Sequence, residues 1–242
     1  MKKERLDKIL LDKKFFNSRT EAQGYILAGK VLVNETPITK SGEKIDTDSE
    51  IRIKGELKKY VSRGGDKLEI AVNEFNIDFT NKSVLDIGIS TGGFTDCALQ
   101  SGAESVTGID VGYGQLDIKI RNNPKVTVIE KTNARTLNLN KQFDIILCDV
   151  SFISTIKLLD TFDLHLKQNG RMVILIKPQF EAGQEFIEKG GIVKNLDVHK
   201  NVLDEIKKKY NEKKFELTGI AESRILFPKG NIEYLTYWKR EI

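Results

Sequence analysis

The sequence contains only two cysteines, and neither has a histidine near it in the chain. Cys97 and Cys148 therefore predict neither a disulfide framework nor a zinc site, and both fit as small buried residues. Long apolar runs are missing as well, since the longest, Met172 to Ile176, is far too short to cross a bilayer. The first residues are charged and lead into no apolar segment, so we predict no secretory signal and expect a cytoplasmic protein.

Charge is unevenly distributed along the chain, whose formal net charge is +4. Residues 1–67 contain sixteen Lys and Arg against eleven Asp and Glu, which gives +5 and leaves −1 for the remainder. A basic amino-terminal part followed by a nearly neutral remainder suggests that the amino-terminal part contacts a polyanion. Charge by itself favours an ordinary solvated surface, so the polyanion hypothesis depends on the motifs.

Residues 1–54 are predicted to form a small α+β domain. A helical pattern of apolar residues opens it, and Ser18, with Glu21 three residues later, forms a capping box that starts a second helix. Gly29 is predicted to end that helix. Short β-like segments and a turn follow, at residues 30–34, 50–53 and 34–37.

A polar, basic, glycine-terminated segment at residues 55–65 is predicted to be a linker to a second domain, residues 66–242. There, strand and helix patterns alternate, which predicts a Rossmann-like, doubly wound, mostly parallel α/β sheet of about seven strands. The last two predicted strands have no long helix between them and could pair antiparallel at one edge. Strands are predicted at 83–87, 105–110, 126–130, 143–149, 171–177, 215–221 and 232–238. Helices are predicted at 66–75, 94–100, 114–121, 154–167 and 198–209.

The strongest local motif is residues 84–94, VLDIGISTGGF, in which an apolar strand runs into a glycine-rich turn and then a helix. It is not the G-x-G-x-x-G dinucleotide pattern, and Asp86 ahead of the glycines would face an anionic pyrophosphate badly. A carboxylate there suits a cationic or hydroxyl-bearing ligand, such as S-adenosyl-L-methionine. The predicted contacts from this motif are Asp86, Gly88, Ser90, Gly92, Gly93 and Phe94.

Two later strand ends extend the predicted cofactor site. Asp110 ends the second strand about 20 residues after the glycine-rich turn, where an acid can bind a ribose diol, and Val111 follows it. Asn133 and Ala134 follow the third strand, where an adenine pocket is expected. The alternative is that Asp86 caps the loop and Asp110 merely ends a strand.

Four further polar residues lie at strand ends or beside the glycine-rich strand: Lys67, Asp149, Lys177 and Glu233. Lys177 follows the apolar run from Met172 to Ile176, so its burial is costly unless a carboxylate such as Asp149 or Glu233 pairs with it. Such a cluster could methylate a ribose 2′-hydroxyl, a poor nucleophile that needs a base. Lys177 would be the base and Lys67 a second cation, with no metal needed. The alternative is an ion-paired lysine that only ties strands together.

At these residues the chain resembles the TlyA family of hemolysin-like rRNA 2′-O-methyltransferases over nearly its whole length. The front end resembles the RNA-binding domain of the type named after ribosomal small-subunit protein four, and the remainder resembles FtsJ-like methyltransferases. The matching segments are RLDK (5–8), SRTEA (18–22), KYVSRGGDKL (59–68), DIGISTGGFT (86–95), DVSFIS (149–154), KPQFE (177–181) and GNIEY (230–234).

The resemblance implies a catalytic Lys-Asp-Lys-Glu tetrad that falls on Lys67, Asp149, Lys177 and Glu233, with Asp149 also beside the cofactor. It implies S-adenosyl-L-methionine as cofactor and ribosomal RNA or ribosomal subunits as partners. The family name also implies haemolysis, although the sequence predicts no membrane-spanning segment. Two alternative hypotheses are a non-catalytic RNA-binding factor and a membrane-active hemolysin. For the oligomeric state, we favour a monomer.

Basic residues on the first two predicted helices could follow a phosphate backbone. Near the active site, a loop from Phe180 to Lys194 contains three glycines and is either a lid or an ordinary surface loop. Phe152 could stack on an extruded base, although an aromatic residue at this position is more often part of a core. The predicted RNA contacts are Arg5, Lys8, Lys13, Lys14, Arg19, Tyr60 and Arg63.

Overall fold

The computed structural model describes residues 2–16, 18–55, 59–223, 225 and 230–241. The chain divides into two compact units, Met1–Lys58 and Lys59–Ile242.

Within its described residues, the first unit contains two short helices and five three-residue strands. Its elements in chain order are β1 (Lys3–Arg5), α1 (Leu6–Asp12), α2 (Arg19–Leu27), β2 (Val31–Val33), β3 (Thr36–Ile38), β4 (Lys44–Asp46) and β5 (Ile51–Ile53). The strands form a β1–β4 pair and a three-stranded antiparallel sheet in the order β3-β2-β5. One apolar cluster, built from α1, α2, β2 and β4, is the core of this unit.

The local signals of the sequence explain where α2 begins and ends. The Ser18 hydroxyl accepts the backbone N–H of Glu21 at 3.2 Å, which confirms the predicted N-cap. Gly29 follows the helix with φ +65°, a conformation that suits glycine. The turn predicted at 34–37 is shorter in the structure, because Asn34 and Glu35 alone make a two-residue hairpin turn with positive φ.

The second unit contains a seven-stranded sheet with helices on both faces. Its helices are α3 (Arg63–Phe75), α4 (Gly93–Gln100), α5 (Ile118–Arg121), α6 (Leu159–His165), α7 (Pro178–Glu181) and α8 (Leu196–Glu212). Its strands are β6 (Ser83–Ile87), β7 (Ser105–Ile109), β8 (Val126–Ile129), β9 (Phe143–Cys148), β10 (Leu166–Ile176), β11 (Phe215–Ser223) and β12 (Glu233–Arg240). Short 3-10 helices at Ala134–Thr136, Thr155–Leu158 and Gln184–Phe186 complete it.

The strand order is β11-β12-β10-β9-β6-β7-β8. Neighbours from β10 to β8 are parallel, and β12 is antiparallel to both β10 and β11. The predicted seven-stranded α/β sheet and its antiparallel edge are thus confirmed. The carboxyl ends of β9 and β6, where the order of the parallel strands reverses direction, lie side by side and form the edge at which such sheets bind ligands.

Three boundaries differ from the sequence pattern for identifiable reasons. Helix α3 begins at Arg63, three residues earlier than predicted, because Ser62 has the extended conformation of an N-cap. Helix α5 has only four residues, since Gly114 has φ +72° and the Asp117 side chain caps the helix by accepting the Lys119 N–H. Strand β10 begins at Leu166, where the chain leaves α6 and pairs with β9 before a bulge.

Two apolar layers cover the sheet. One layer packs β6, β9, β10 and β12 against α6 and α8, and the other packs the same strands against α3 and α4. Within the described ranges, no helix combines the length and the apolar character that crossing a membrane requires.

Candidate active site

A cavity of about 220 Å³ opens at the carboxyl ends of β6 and β9. Three chain segments line it: the start of α3, the glycine-rich turn after β6, and the residue after β9. The lining residues are Ser62, Arg63, Gly64, Lys67, Gly88, Ile89, Ser90, Thr91, Gly93, Phe94 and Asp149. Members of both the predicted cofactor set and the predicted catalytic set therefore border one space.

Lys67 forms a buried ion pair with Glu233. Its Nζ lies 2.5 Å from Glu233 Oε2, although the residues are far apart in the chain. Only 10% of the Lys67 side chain and 6% of the Glu233 side chain are exposed. Burying either charge alone would be costly, so each residue holds the other at the cavity wall.

Lys177 forms a second ion pair, with Asp149. Its Nζ lies 2.6 Å from Asp149 Oδ1 and donates a hydrogen bond to the Ser151 hydroxyl at 3.0 Å. The Lys177 side chain is 10% exposed. Because Asp149 lines the cavity, the pair brings Lys177 beside the space that Lys67 borders.

Strand alternation explains why these groups converge. Successive strand residues point to opposite faces of a sheet, so residues two apart share a face. The strand residues that pack on the α3 and α4 side include Val84, Leu147, Leu175 and Leu235. Each of these residues lies two positions along the chain from one of the four polar residues Asp86, Asp149, Lys177 and Glu233. Four strands thus direct one polar group each to the face that carries Lys67.

Asp86 is fully buried beneath the glycine-rich turn. Its Oδ2 accepts a hydrogen bond from the Thr95 hydroxyl at 2.6 Å, and its Oδ1 has no partner among the described residues. Burial, opposed by the Thr95 hydrogen bond and assisted by the charges of Asp149 and Asp110, raises the pKa of Asp86 to about 7. A buried carboxylate oxygen without a donor is a site that a donor group of a ligand could satisfy.

The glycine-rich turn is a close-packed junction. Gly88 has φ +85°, and a Cβ added there would lie 2.5 Å from the Asp149 carbonyl oxygen. A Cβ on Gly93 would lie 2.7 Å from the Gly65 backbone nitrogen, so the amino-terminal ends of α3 and α4 meet with no room for a side chain. Gly92 has φ +92° and packs against Leu116.

The remaining predicted cofactor residues lie outside the lining of this cavity, beyond the carboxyl end of β7. Asp110 accepts N–H groups from Ser90 at 2.8 Å and Gly112 at 2.7 Å, which ties the glycine-rich turn to β7. Val111 is exposed, and Asn133 caps a 3-10 helix by accepting the Arg135 N–H at 3.0 Å. Ala134 packs on the core.

Comparisons with known proteins identify both units. The family model described as FtsJ-like methyltransferase matches residues 60–240, and the S4 domain model matches residues 4–51. The first of these models covers most of the chain. The protein belongs to the FtsJ-like methyltransferase family.

Full-length relatives agree with this assignment. The chain is 41% identical over 238 residues to "Hemolysin A" of Brachyspira hyodysenteriae, covering 97% of this chain and 99% of the relative. It is 33% identical over 244 residues to "16S/23S rRNA (cytidine-2'-O)-methyltransferase TlyA" of Mycobacterium tuberculosis, covering 99% and 91%. The predicted resemblance to the TlyA family is thereby confirmed.

The solved structure of a candidate hemolysin from Streptococcus thermophilus has the same architecture. It superposes with a TM-score of 0.74 at 39% identity, covering 99% of this chain and 89% of that chain. The FtsJ-like methyltransferase unit and the S4 unit of this protein are thus found together in a relative of nearly the same extent.

In the S4 unit, two of the predicted RNA-binding arginines surround a buried acid. Asp7 is fully buried and accepts hydrogen bonds from Arg5, Arg19 and Gln23 at 2.8–3.0 Å. The Arg5 guanidinium, followed by Arg19 and Gln23, holds the pKa of Asp7 well below its usual range. The Arg5 and Arg19 side chains remain 42% and 53% exposed, so each also presents a charged face to solvent.

The predicted RNA-binding lysines lie on the surface of the same unit. Lys8 pairs with Glu4 at 2.8 Å in an exposed ion pair, and Lys13 lies 3.5 Å from the Ser49 carbonyl oxygen. Lys14 is exposed at the end of α1. These lysines are accessible, whereas Arg5 and Arg19 also help to hold α1 and α2 together.

The structure gives different outcomes for Tyr60 and Arg63, the two predicted RNA contacts near the active site. Tyr60 is buried in the core beside α3 and α4, so it cannot present its ring to a nucleotide in this structure. Burial raises the pKa of Tyr60 to about 12. Arg63 is exposed at the cavity and has neither an ion pair nor a hydrogen bond within the described ranges. Arg63 is therefore available to an anionic ligand.

Phe152 is 89% exposed, so the expectation that it belongs to a core is wrong. It has φ +65°, a strained conformation for a bulky residue, and its ring lies 4.9 Å from that of Phe180. The Phe152 ring therefore lies at the surface, where a ligand could reach it.

Sequence reasoning did not single out three polar residues that complete the site. Ser62 lines the cavity, Thr95 donates to Asp86, and Ser151 accepts from Lys177. Ser62 could have been recognised, because a serine before a helix is a common N-cap. Thr95 and Ser151 carry no separate signal. In the described parts of the chain, no group of three His, Cys, Asp or Glu side chains is placed to hold a metal ion.

Proposed function

We propose that this protein transfers a methyl group from S-adenosyl-L-methionine to a ribose 2′-hydroxyl of ribosomal RNA. The observation that carries the proposal is the convergence of two lysine–carboxylate pairs on one cavity beside a glycine-rich turn. The family assignment supports methyl transfer, and the TlyA relative of Mycobacterium tuberculosis is named for cytidine 2′-O-methylation of rRNA. Such an enzyme would work in the cytoplasm, where ribosomes are made.

The residues around the glycine-rich turn suit this cofactor. Among the residues that the structure describes, Asp86 Oδ1 is a buried acceptor without a partner, and an ammonium group is a donor that would satisfy it. Asp110 borders the same turn and can accept hydrogen bonds from ribose hydroxyls. When bound, S-adenosyl-L-methionine supplies a methyl group on a sulfonium that leaves as a neutral thioether.

Lys177 is the proposed base. In the ion pair it is an ammonium, so it would first release its proton to solvent, and the resulting amine would then take the proton of the attacking 2′-hydroxyl. Asp149, 2.6 Å away, stabilises the ammonium that results, and Ser151 orients the amine. Lys67, fixed by Glu233, remains a cation at the cavity wall and stabilises the developing negative charge on the ribose oxygen.

RNA is proposed to bind through exposed cations and an aromatic surface. In the S4 unit, Lys8, Lys13 and the outer faces of Arg5 and Arg19 would follow the phosphate backbone. At the active site, Arg63 would contact a phosphate, and the exposed Phe152 ring would stack on the base of the target nucleotide.

Incorporation of tritiated methyl groups into ribosomal subunits from cells that lack this protein tests the proposal. We expect transfer by the wild type, and a rate roughly 100- to 10,000-fold slower for Lys177→Ala with cofactor affinity changed by about twofold or less, because general bases of this kind contribute a factor of that size. The matched control is Lys207→Ala, an exposed lysine on α8, which should retain full activity.

Two outcomes would contradict the proposal. Failure of the wild type to methylate either subunit or naked rRNA, with equal cellular phenotypes for wild type and Lys177→Ala, would favour a non-catalytic RNA-binding factor. Leakage from liposomes at low protein concentration, lost after heat denaturation, would instead favour the membrane activity that the name Hemolysin A suggests for one relative.

A further inference from the structure

A glycine-containing loop, residues 182–195, connects α7 to α8 and begins five residues after Lys177. It folds back on itself in a tight turn, in which Glu188 bridges to Ile192 and Gly190 and Gly191 both have positive φ. The turn is exposed, but the residue that follows Ile192 is not. Val193 is buried and is the point at which the loop is attached to the rest of the unit.

Val193 is held through both of its backbone groups. Its N–H donates to Asn231 Oδ1 at 2.9 Å, and its carbonyl oxygen lies 2.8 Å from His199 Nε2. The Asn231 amide also donates from Nδ2 to the Gly191 carbonyl oxygen at 2.8 Å. The Asn231 side chain thus forms hydrogen bonds with the loop backbone on both sides of Ile192. His199, which lies in α8, forms a hydrogen bond with the Val193 carbonyl oxygen.

The partners of the two ring nitrogens of His199 define the tautomer of the neutral ring. A carbonyl oxygen can only accept, so Nε2 must carry the hydrogen that it donates to Val193. Nδ1 is then the acceptor, and it receives the hydroxyl of Tyr234 at 2.8 Å. His199 is buried, and its ring packs edge-on against that of Tyr234. The histidine therefore links the loop to strand β12.

The contacts of Asn231 and His199 connect the loop to residues on either side of Glu233. Asn231 precedes Glu233 by two residues, and Tyr234 follows it directly. Tyr234 packs in the core on the α6 and α8 side of the sheet, whereas Glu233 points to the opposite face and pairs with Lys67. The contacts of Asn231 and His199 therefore fix the backbone of Glu233 on both sides without touching its carboxylate.

We infer that Asn231 and His199 are positioning residues for the methyl transfer proposed above, on which this inference rests. The chain runs from Lys177 through α7 and the loop to Val193, and from there the two side chains connect it to Glu233. Pairing of Ile176 with Tyr234 places the Lys177–Asp149 pair and the Lys67–Glu233 pair side by side, and this connection holds the start of β12 in that position. A shift of about 1 Å in catalytic geometry can lower a rate roughly 100-fold.

The test uses Asn231→Ala, His199→Phe and the double variant in the full chain. Phenylalanine keeps the aromatic ring of His199 and removes both hydrogen bonds. The matched control is Asn138→Ala, which also removes an asparagine oxygen that accepts a backbone N–H, that of Asn140 at 3.1 Å in an exposed turn. Rates of tritiated methyl transfer to ribosomal subunits and the dissociation constant of S-adenosyl-L-methionine are measured for each.

We expect kcat to fall about 10-fold or more in Asn231→Ala and in His199→Phe, with KM for the subunits and cofactor affinity within about twofold of wild type. Because both side chains act on Val193, the double variant should lose less than the product of the two single losses. Hydrogen exchange should increase in residues 188–193 of each variant and stay unchanged in Asn138→Ala.

An Asn231→Ala variant with the kcat of Asn138→Ala would overturn the inference, even if its loop exchanges faster. So would a loss of cofactor affinity that matches the loss of rate. Should His199→Phe fail to fold, Asn231→Ala decides alone, because that side chain is only partly buried. An inactive wild type would refute the proposed function itself, and this inference with it.

Discussion

Lys67 and Lys177 are nearly buried, and each lies against one carboxylate. A buried lysine that is paired can be structural or catalytic, and the distinction lies in what else the pair borders. Here Lys67 and Asp149 line the same cavity, so the pairs border an open space rather than a closed core. At the scale of single residues this arrangement favours catalysis over a purely structural tie between strands.

The sequence predicted which residues meet, but not every partner or exposure. Positions at strand ends predicted the four polar residues, while the pairing of Lys67 with Glu233 depends on where α3 packs relative to β12. Tyr60, which was expected to contact RNA, is buried, and Phe152, at a position more typical of a core, is exposed. An aromatic ring suits a core and a nucleotide contact equally well. Only tertiary structure decides between these two uses.

Asp86 predicts a measurable pH dependence of stability. Its pKa is raised to about 7 in the folded protein from an ordinary value of 3.8. Between about pH 4 and pH 7 the unfolded chain has released this proton and the folded chain keeps it, so this group lowers the free energy of unfolding as pH rises. Asp86→Asn removes the titration, and its stability relative to wild type should rise from pH 5 to pH 7 and level off above.

Urea unfolding followed by the fluorescence of Trp238, the single tryptophan, measures this difference at pH 5, 6, 7 and 8. The control is Asp78→Asn, an exposed residue whose pKa is lowered mainly by hydrogen bonds from Thr80, so its difference from wild type should be constant over this range. A difference between Asp86→Asn and wild type that does not change with pH would show that Asp86 is ionised throughout.

At the scale of elements, the junction of α3 and α4 determines the shape of the cavity. Their amino-terminal ends meet through Gly93, Gly64 and Gly65, and residues of both ends line the cavity. Backbone N–H groups at helix starts carry partial positive charge, so two such ends beside one cavity favour an anionic part of a ligand. The glycines are therefore explained by backbone approach and not by flexibility.

Gly93→Ala should lower the free energy of unfolding by about 1–3 kcal/mol, because its Cβ would lie 2.7 Å from the Gly65 nitrogen and 3.0 Å from the Gly64 Cα. Gly64→Ala is the matched control, since its Cβ would have no neighbour nearer than 3.4 Å. The control should be neutral or more stable by about 0.5 kcal/mol. Equal effects of the two substitutions in urea unfolding would contradict the proposed close packing.

Long, periodic elements of the second unit could be predicted from sequence, because apolar strands and amphipathic helices carry strong patterns. The three-residue strands β1, β3 and β4 could not, since their residues are mainly polar and Ile45 alone among them is buried. These strands form because their backbones pair with neighbouring strands, and local sequence periodicity does not predict such pairing. The same holds for α5, which a positive-φ glycine shortens.

At the scale of the whole molecule, the order of strands assembles the site. Residues from β6, β9, β10 and β12 reach one face, because β12 inserts antiparallel between β10 and β11 and brings the start of β12 to the carboxyl ends of its neighbours. The alternation of strands and helices predicted the sheet and its antiparallel edge. The interaction of β12 with both α3 and the loop at Val193 could not be predicted, because it joins segments far apart in the chain.

The central claim is that these groups methylate a ribose 2′-oxygen of rRNA. The most direct test maps 2′-O-methylated positions in rRNA from cells lacking the protein, after incubation of their subunits with cofactor and either wild type or Lys177→Ala. We predict at least one new 2′-O-methylated nucleotide with wild type and none with Lys177→Ala. A methyl group found on a base atom, or a 2′-O-methyl group added equally by both proteins, would contradict the account.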